Sequence, residues 1–248
     1  MAAAKRGSVG NSGSSARGTK GRAGTRAKRL GDLPTERKHV TILRVDLQGS
    51  TSLLIGLELE EAIGRLAPAL TEMRAAVHAY GGIVYREAGD GLFAAFGAPV
   101  SEDLHAVMGC MAALELVRRI EALGDPGFRV RVGIHSGQVV VGLRRLDLST
   151  TYEFDGPPLI MADRLQSVAE ANQILASPAS RALAEGYIRF GDAVQYALKG
   201  FPEPVDAHPV EGIGELSKWQ VTSARARSLF VGRAQEFERL EAVLRQAE

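Results

Sequence analysis

Apolar positions along this chain follow two alternating rhythms. Residues 40–46 (Val-Thr-Ile-Leu-Arg-Val-Asp) are mostly β-branched or apolar and predict a buried strand, beginning at about His39 and ended by Gly49-Ser50-Thr51. Ile63, Leu66, Leu70, Met73, Val77 and Tyr80 then recur in steps of three and four, which predicts an amphipathic helix stopped by Gly81-Gly82. Residues 83–87 and 92–96 flank Gly89-Asp90-Gly91, the signature of a hairpin. Leu104, Val107, Met111, Leu114 and Val117 mark a second helix over about residues 102–123, broken by Gly124-Asp125-Pro126-Gly127. Residues 128–134 and 138–142 read as a further strand pair turning at His135-Ser136-Gly137. Pro158 suits the first turn of a helix running to about residue 170. Short elements alternate from there to Val210.

The order β-α-β-β-α-β, with further units after it, predicts an α+β fold of the ferredoxin-like kind. Helices should pack on a central, mainly antiparallel sheet. No internal repeat is visible. Hydrophobic residues make up 45% of the 248 and charged residues 24%, enough for a sizeable core. No apolar run approaches the ~20 residues of a spanning helix, so no membrane segment is expected. Cys110 is the only cysteine, which excludes a disulfide framework and a cysteine zinc site and suits a cytoplasmic location.

The net charge of +1 conceals an uneven distribution. Residues 1–38 hold 10 Lys/Arg against 2 Asp/Glu, leaving 20 against 27 and a net −7 in the rest. That excludes a uniformly basic nucleic-acid domain. Residues 1–36 are rich in Gly, Ser, Ala and basic residues and are expected to stay unstructured. A globular domain over 37–212 follows, then a polar linker over 213–228. Leu229-Phe230-Val231-Gly232-Arg233 and the apolar spacing of Phe237, Leu240 and Leu244 look like the opening of a P-loop ATPase module, truncated over 229–248.

Two carboxylates stand out. Asp46 ends the first strand, and Asp90 sits at the tip of the first hairpin. In a β-α-β-β arrangement these elements can be sheet neighbours, and two such carboxylates suit Mg²⁺. The alternative for each is local: Asp46 as a turn cap and Asp90 as an Asp-Gly turn residue. Cys110 and His135 have plain readings, as a small core residue and a hairpin residue.

Residues 37–212 resemble the catalytic domain of class III nucleotidyl cyclases. The stretches VTILRVDLQGST at 40–51, REAGDGLFAAFG at 86–97, RVGIHSGQVVVG at 131–142, ADRLQ at 162–166 and LKGFPEPV at 198–205 carry the resemblance. It implies a head-to-tail homodimer, or a heterodimer with another cyclase domain, with active sites between subunits. Asp46 and Asp90 would hold two Mg²⁺ or Mn²⁺ ions. Arg164 would stabilise the phosphate in transfer, Lys199 would contact the outer phosphates, and Arg86 and Glu153 would read the base. The implied reaction is attack of the ribose 3′-hydroxyl of ATP, or less favourably GTP, on the α-phosphate.

The chain departs from the family pattern at Ile160, where an asparagine usually orients the ribose; isoleucine offers neither donor nor acceptor. It departs again at Arg44, where the family has an aromatic or apolar residue. Strand alternation puts Arg44 on the face of Asp46, where it can pair with that carboxylate, reach a substrate phosphate or turn away. These departures leave a second expectation: a cyclase-homology domain that dimerises and regulates a downstream module without catalysis.

Overall fold

The structure is a computed structural model and describes residues 35–50, 54–146 and 149–214. The basic tail before residue 35, the linker beyond residue 214 and the ATPase-like segment at 229–248 lie outside the described residues. Element order is β1 (Glu36–Leu47), α1 (Leu59–Ala79), β2 (Ile83–Ala88), β3 (Gly91–Phe96), α2 (His105–Ala122), β4 (Val130–Leu146) and β5 (Ser149–Asp155). It continues with α3 (Pro157–Val168), β6 (Ile174–Ala176), α4 (Pro178–Ala184), β7 (Ile188–Phe190), β8 (Val194–Tyr196) and β9 (Val205–Ile213). The strands lie in the order β2-β3-β1-β4-β6-β9-β7, with β5 on β4 and β8 on β9. Among the described strands every pairing is antiparallel except β4 with β6. This is the α+β sandwich the alternating rhythms predict.

Strand alternation divides β1 between two cores. Leu43, Val45 and Leu47 face α1 and α2, where they join Met73, Val77, Phe96, Leu116 and Ile120. Cys110 lies in this core as a small buried residue, and burial pushes its thiol up to about 12. Val40 and Ile42 face the other way, with Phe93, Val139, Phe154 and Ala162 of α3. Truncating a buried aromatic such as Phe96 to alanine costs about 3–5 kcal/mol.

One expectation is corrected. Residues 128–142 do not form a strand pair: β4 is a single strand that runs straight through His135-Ser136-Gly137. Gly137 signals close packing rather than a turn, since a Cβ there would press on the ring of Pro158. His135 faces the α3 side, its Nδ1 2.7 Å from Ser177 Oγ. Burial, and then His39, lower its pKa to about 4. On the opposite side Thr41, paired with Ser136, bonds both Ser136 Oγ and His105 Nδ1 at 2.7 Å, so this part of the core is polar but satisfied.

Candidate active site

Asp46 and Asp90 meet through a strand end and a tight turn. Asp46 lies opposite Gly91 across β1 and β3. Asp90 follows Gly89, whose φ of +62° makes the turn between β2 and β3. The Leu47 amide donates to the Asp90 carbonyl at 3.2 Å and stitches that turn to the end of β1. The two carboxyl groups come within hydrogen-bonding reach of each other, and the Ser50 hydroxyl donates to Asp90 Oδ2. Burial, and then the Asp90 carboxyl, hold Asp46 above the usual carboxylate range despite the opposing pull of Arg44 and Arg131.

Two acidic groups crowded into a half-buried site favour a cation between them. An all-oxygen donor pair suits Mg²⁺ or Mn²⁺ rather than a soft metal. Among the described residues no group of three or more His, Cys, Asp or Glu converges. The described residues therefore offer a pair of carboxylates here rather than a larger cluster.

Both oxygens of Asp46 already face guanidinium groups. Arg44 Nη2 lies 3.0 Å from Oδ1, and Arg131 Nη2 lies 3.3 Å from Oδ2. Of the three courses open to Arg44, the structure shows the first: it pairs with the carboxylate. Its Nη1 also donates to the Val45 carbonyl, its Nε faces Asp163 Oδ1 at 3.7 Å, and its guanidinium lies 4.7 Å from the centre of the Phe93 ring. Gly91 provides the room, because a Cβ there would collide with the Val45 carbonyl and the Arg44 guanidinium. Arg131 escaped the sequence reading. It pairs with Asp46 directly across β1 and β4, so the antiparallel register was the signal that could have found it.

Helix α3 carries the second group of residues. Pro157 and Pro158 open it, and its backbone packs so closely on β4 that only glycine fits at 133. Ile160 and Arg164, four residues apart, share one face. Arg164 Nε donates to the Lys199 carbonyl at 3.0 Å, and its Nη1 donates to Asp163 Oδ2 at 2.9 Å. The exposed Lys199 thus sits on a turn held beside α3 by Arg164.

Arg86 reaches the same region through a bulge in β2. The register shifts between Val84 and Arg86, so the consecutive residues Tyr85 and Arg86 both address Phe93. The Arg86 guanidinium lies 4.0 Å from the Phe93 ring centre, and the Tyr85 ring lies 4.5 Å from that of Phe154. Arg86, Phe93, Asp155, Ile160, Asp163 and Arg164 line a cavity of about 530 Å³.

The residues expected from the sequence therefore fall into separate places. Asp46 and Asp90 form the carboxylate pair. Arg86 and Arg164 share the cavity, with the Lys199 turn bonded to Arg164. Glu153 is exposed on β5 and does not line that cavity; neither does Asp46 or Asp90.

Comparison with known proteins places these features in one family. Residues 34–220 match the family described as the adenylate and guanylate cyclase catalytic domain. Adenylate cyclase 1 of Rhizobium meliloti (strain 1021) is 29% identical over 201 residues, covering 77% of this chain and 30% of that protein. The chain thus spans under a third of that relative's length. The adenylyl cyclase CyaB from P. aeruginosa is 31% identical, with a TM-score of 0.64 over 72% of this chain and 96% of that one. The guanylyl cyclase Cya2 is 30% identical, with a TM-score of 0.63 over 73% and 95% of the two chains. With these matches spanning the carboxylate pair, α3 and the Lys199 turn, the chain belongs to the adenylate and guanylate cyclase catalytic domain family.

Proposed function

We propose that this domain converts ATP to 3′,5′-cyclic AMP and pyrophosphate at sites shared between two subunits, in the cytoplasm. The observation that carries the reading is the division of the site. Each chain has a carboxylate pair, Asp46 with Asp90, and a separate cavity with Arg86 and Arg164, so a second cyclase domain would complete both halves. Asp90 also opens on an apolar groove of about 600 Å³ beside the exposed Ile55 and Ile63, a surface that a partner subunit would shield from water. Among the described residues no helix is long and apolar enough to cross a membrane.

In the reaction the ribose 3′-oxygen bonds to the α-phosphorus, the 3′-hydroxyl loses its proton to solvent, and the bond from the α-phosphorus to the bridging oxygen breaks, that oxygen leaving with pyrophosphate. Bound divalent ions, held by Asp46 and Asp90, would supply Lewis-acid stabilisation of phosphate charge. Arg164 offers a fixed donor array to the α-phosphate, and this preorganised charge is the main contribution a protein makes to such transfers. Lys199 brings a mobile positive charge to the outer phosphates. Arg86 and Glu153 are the base-reading pair by correspondence, and their charges match the adenylate pattern. A homodimer is the simplest assembly.

A second reading has its own support. Arg44 occupies Asp46 Oδ1, and Ile160 puts an apolar side chain, 55% exposed, where the family orients the ribose. A domain with these two features fits a regulatory, dimerising role without turnover. Incubating the purified protein with ATP or GTP and Mg²⁺ or Mn²⁺, with chromatography of the products, separates the readings. Cyclic AMP with pyrophosphate supports the first; cyclic GTP-derived product alone corrects the substrate; no cyclic product under any pairing leaves the second.

A further inference from the structure

A run of ion pairs joins the carboxylate pair to α3. Arg44 Nη2 lies 3.0 Å from Asp46 Oδ1, and its Nε lies 3.7 Å from Asp163 Oδ1. Arg164 Nη1 lies 2.9 Å from the other oxygen of the same carboxylate, Asp163 Oδ2. Two arginines therefore divide one negative charge, and the closer of them, Arg164, now takes the larger share.

The fold builds this run. Arg44 pairs with Gly133 across β1 and β4. With no side chain at Gly133, the α3 backbone at Ala162 and Gln166 settles onto the sheet there, which brings Asp163 beside Arg44. Arg44 is buried, so it cannot exchange Asp46 for water and needs another acid if it leaves. Asp163 is the second carboxylate it faces. Arg164 is held from two sides, since its Nε also donates to the Lys199 carbonyl at 3.0 Å.

Given the metal-dependent reaction at shared sites proposed for this domain, we infer that Asp163 is a positioning residue and that Arg44 and Asp163 form an interlock, which releases Arg164 when Asp46 takes a divalent ion. Arg44, displaced from Asp46 Oδ1, closes on Asp163 Oδ1 and makes a full charge-assisted hydrogen bond there. Asp163 then holds Arg164 less strongly, and the Arg164 guanidinium can turn to an incoming phosphate. The coupling is reciprocal: phosphate on Arg164 leaves Asp163 to Arg44 and frees Asp46 for the ion. In a head-to-tail dimer the Asp46 and Arg164 of one chain serve different active sites, so filling one site prepares the other.

The arginine Nε–H signals of ¹⁵N-labelled protein, followed by NMR during Mg²⁺ titration without nucleotide, test the interlock apart from turnover. Arg44→Met and Arg164→Lys identify the two signals by their loss. In the parent both signals are expected to shift with one Mg²⁺ midpoint. Asp163→Ala suits a partly exposed helix position, and in it Mg²⁺ is expected to shift the Arg44 signal alone. In Arg44→Met the Arg164 signal is expected to stay in place while calorimetry shows Mg²⁺ bound. A parent in which only Arg44 responds, or an Arg164 shift that survives in either variant, overturns the interlock and leaves the metal reading intact. No shift at either arginine overturns both. An Arg164 that responds in a protein without turnover keeps the interlock and refutes only the catalytic reading. Binding of 3′-deoxy-ATP, which cannot cyclise, reads the consequence for the dimer in the presence of Mg²⁺. The Hill coefficient is expected to exceed one in the parent and to fall close to one in Asp163→Ala; equal coefficients overturn the link between sites.

Discussion

Replacing Arg44 with methionine is expected to tighten Mn²⁺ binding by about 10- to 100-fold. At the proposed metal site the guanidinium and the ion would compete for the same oxygen, Asp46 Oδ1, which lies 3.0 Å from Arg44 Nη2. Arg44 is only 8% exposed, and its Nε has no hydrogen-bond partner among the described residues, so it has little water to retreat into. Loading Oδ1 breaks a charge-assisted bond with a net worth of about 1.5–3 kcal/mol, and each 1.4 kcal/mol or so is tenfold in affinity. Repulsion between the guanidinium and a divalent ion acts in the same direction. Methionine keeps an unbranched chain against Phe93 and removes the charge. Arg131 remains on Oδ2, so Asp46 is not left unpaired. Losing Arg44 also removes an influence that lowers the Asp46 pKa, so the comparison belongs at about pH 8, well above the carboxylate range. Calorimetric titration without nucleotide reads the metal independently of turnover. An Arg44→Met protein that melts like its parent and binds Mn²⁺ no better would refute the competition.

Ile160→Asn is expected to raise cyclic-product turnover, by up to ~100-fold if ribose positioning is the deficit, in kcat more than in KM. Unchanged kinetics would show that another group orients the ribose. His135, held neutral with a pKa near 4, makes stability fall as pH drops from about 6.5 to about 4, because the unfolded chain takes up the proton first. The loss reaches about 3 kcal/mol, and His135→Gln should flatten that part of a melting-temperature profile; an equally steep profile would assign the effect elsewhere. The Tyr85 hydroxyl is buried without a hydrogen-bond partner among the described residues, so Tyr85→Phe should hold or raise the melting temperature. A clear drop on thermal unfolding would mean that the hydroxyl is bonded after all.

The sequence alone determined the features that depend on a few neighbouring residues. The steps of three and four in α1 and α2, the Gly-Asp-Gly turn before β3 and the proline pair opening α3 each act locally, and each was legible. So was the placement of Asp46 at a strand end and of Asp90 in a turn. Tertiary structure decided which charges meet. Arg131 reaches Asp46 only because β1 and β4 pair in one register, and Arg44 spans Asp46 and Asp163 only because α3 packs closely on Gly133. The long β4 was illegible for a related reason. Residues 130–137 are buried or half-buried on both faces, so no polar alternation marks the strand's course there, and Gly137 looks like a turn until Pro158 is packed against it. Periodicity and turn chemistry are written into adjacent residues, whereas pairing among buried charges depends on register and on distant backbones meeting, which no local stretch encodes.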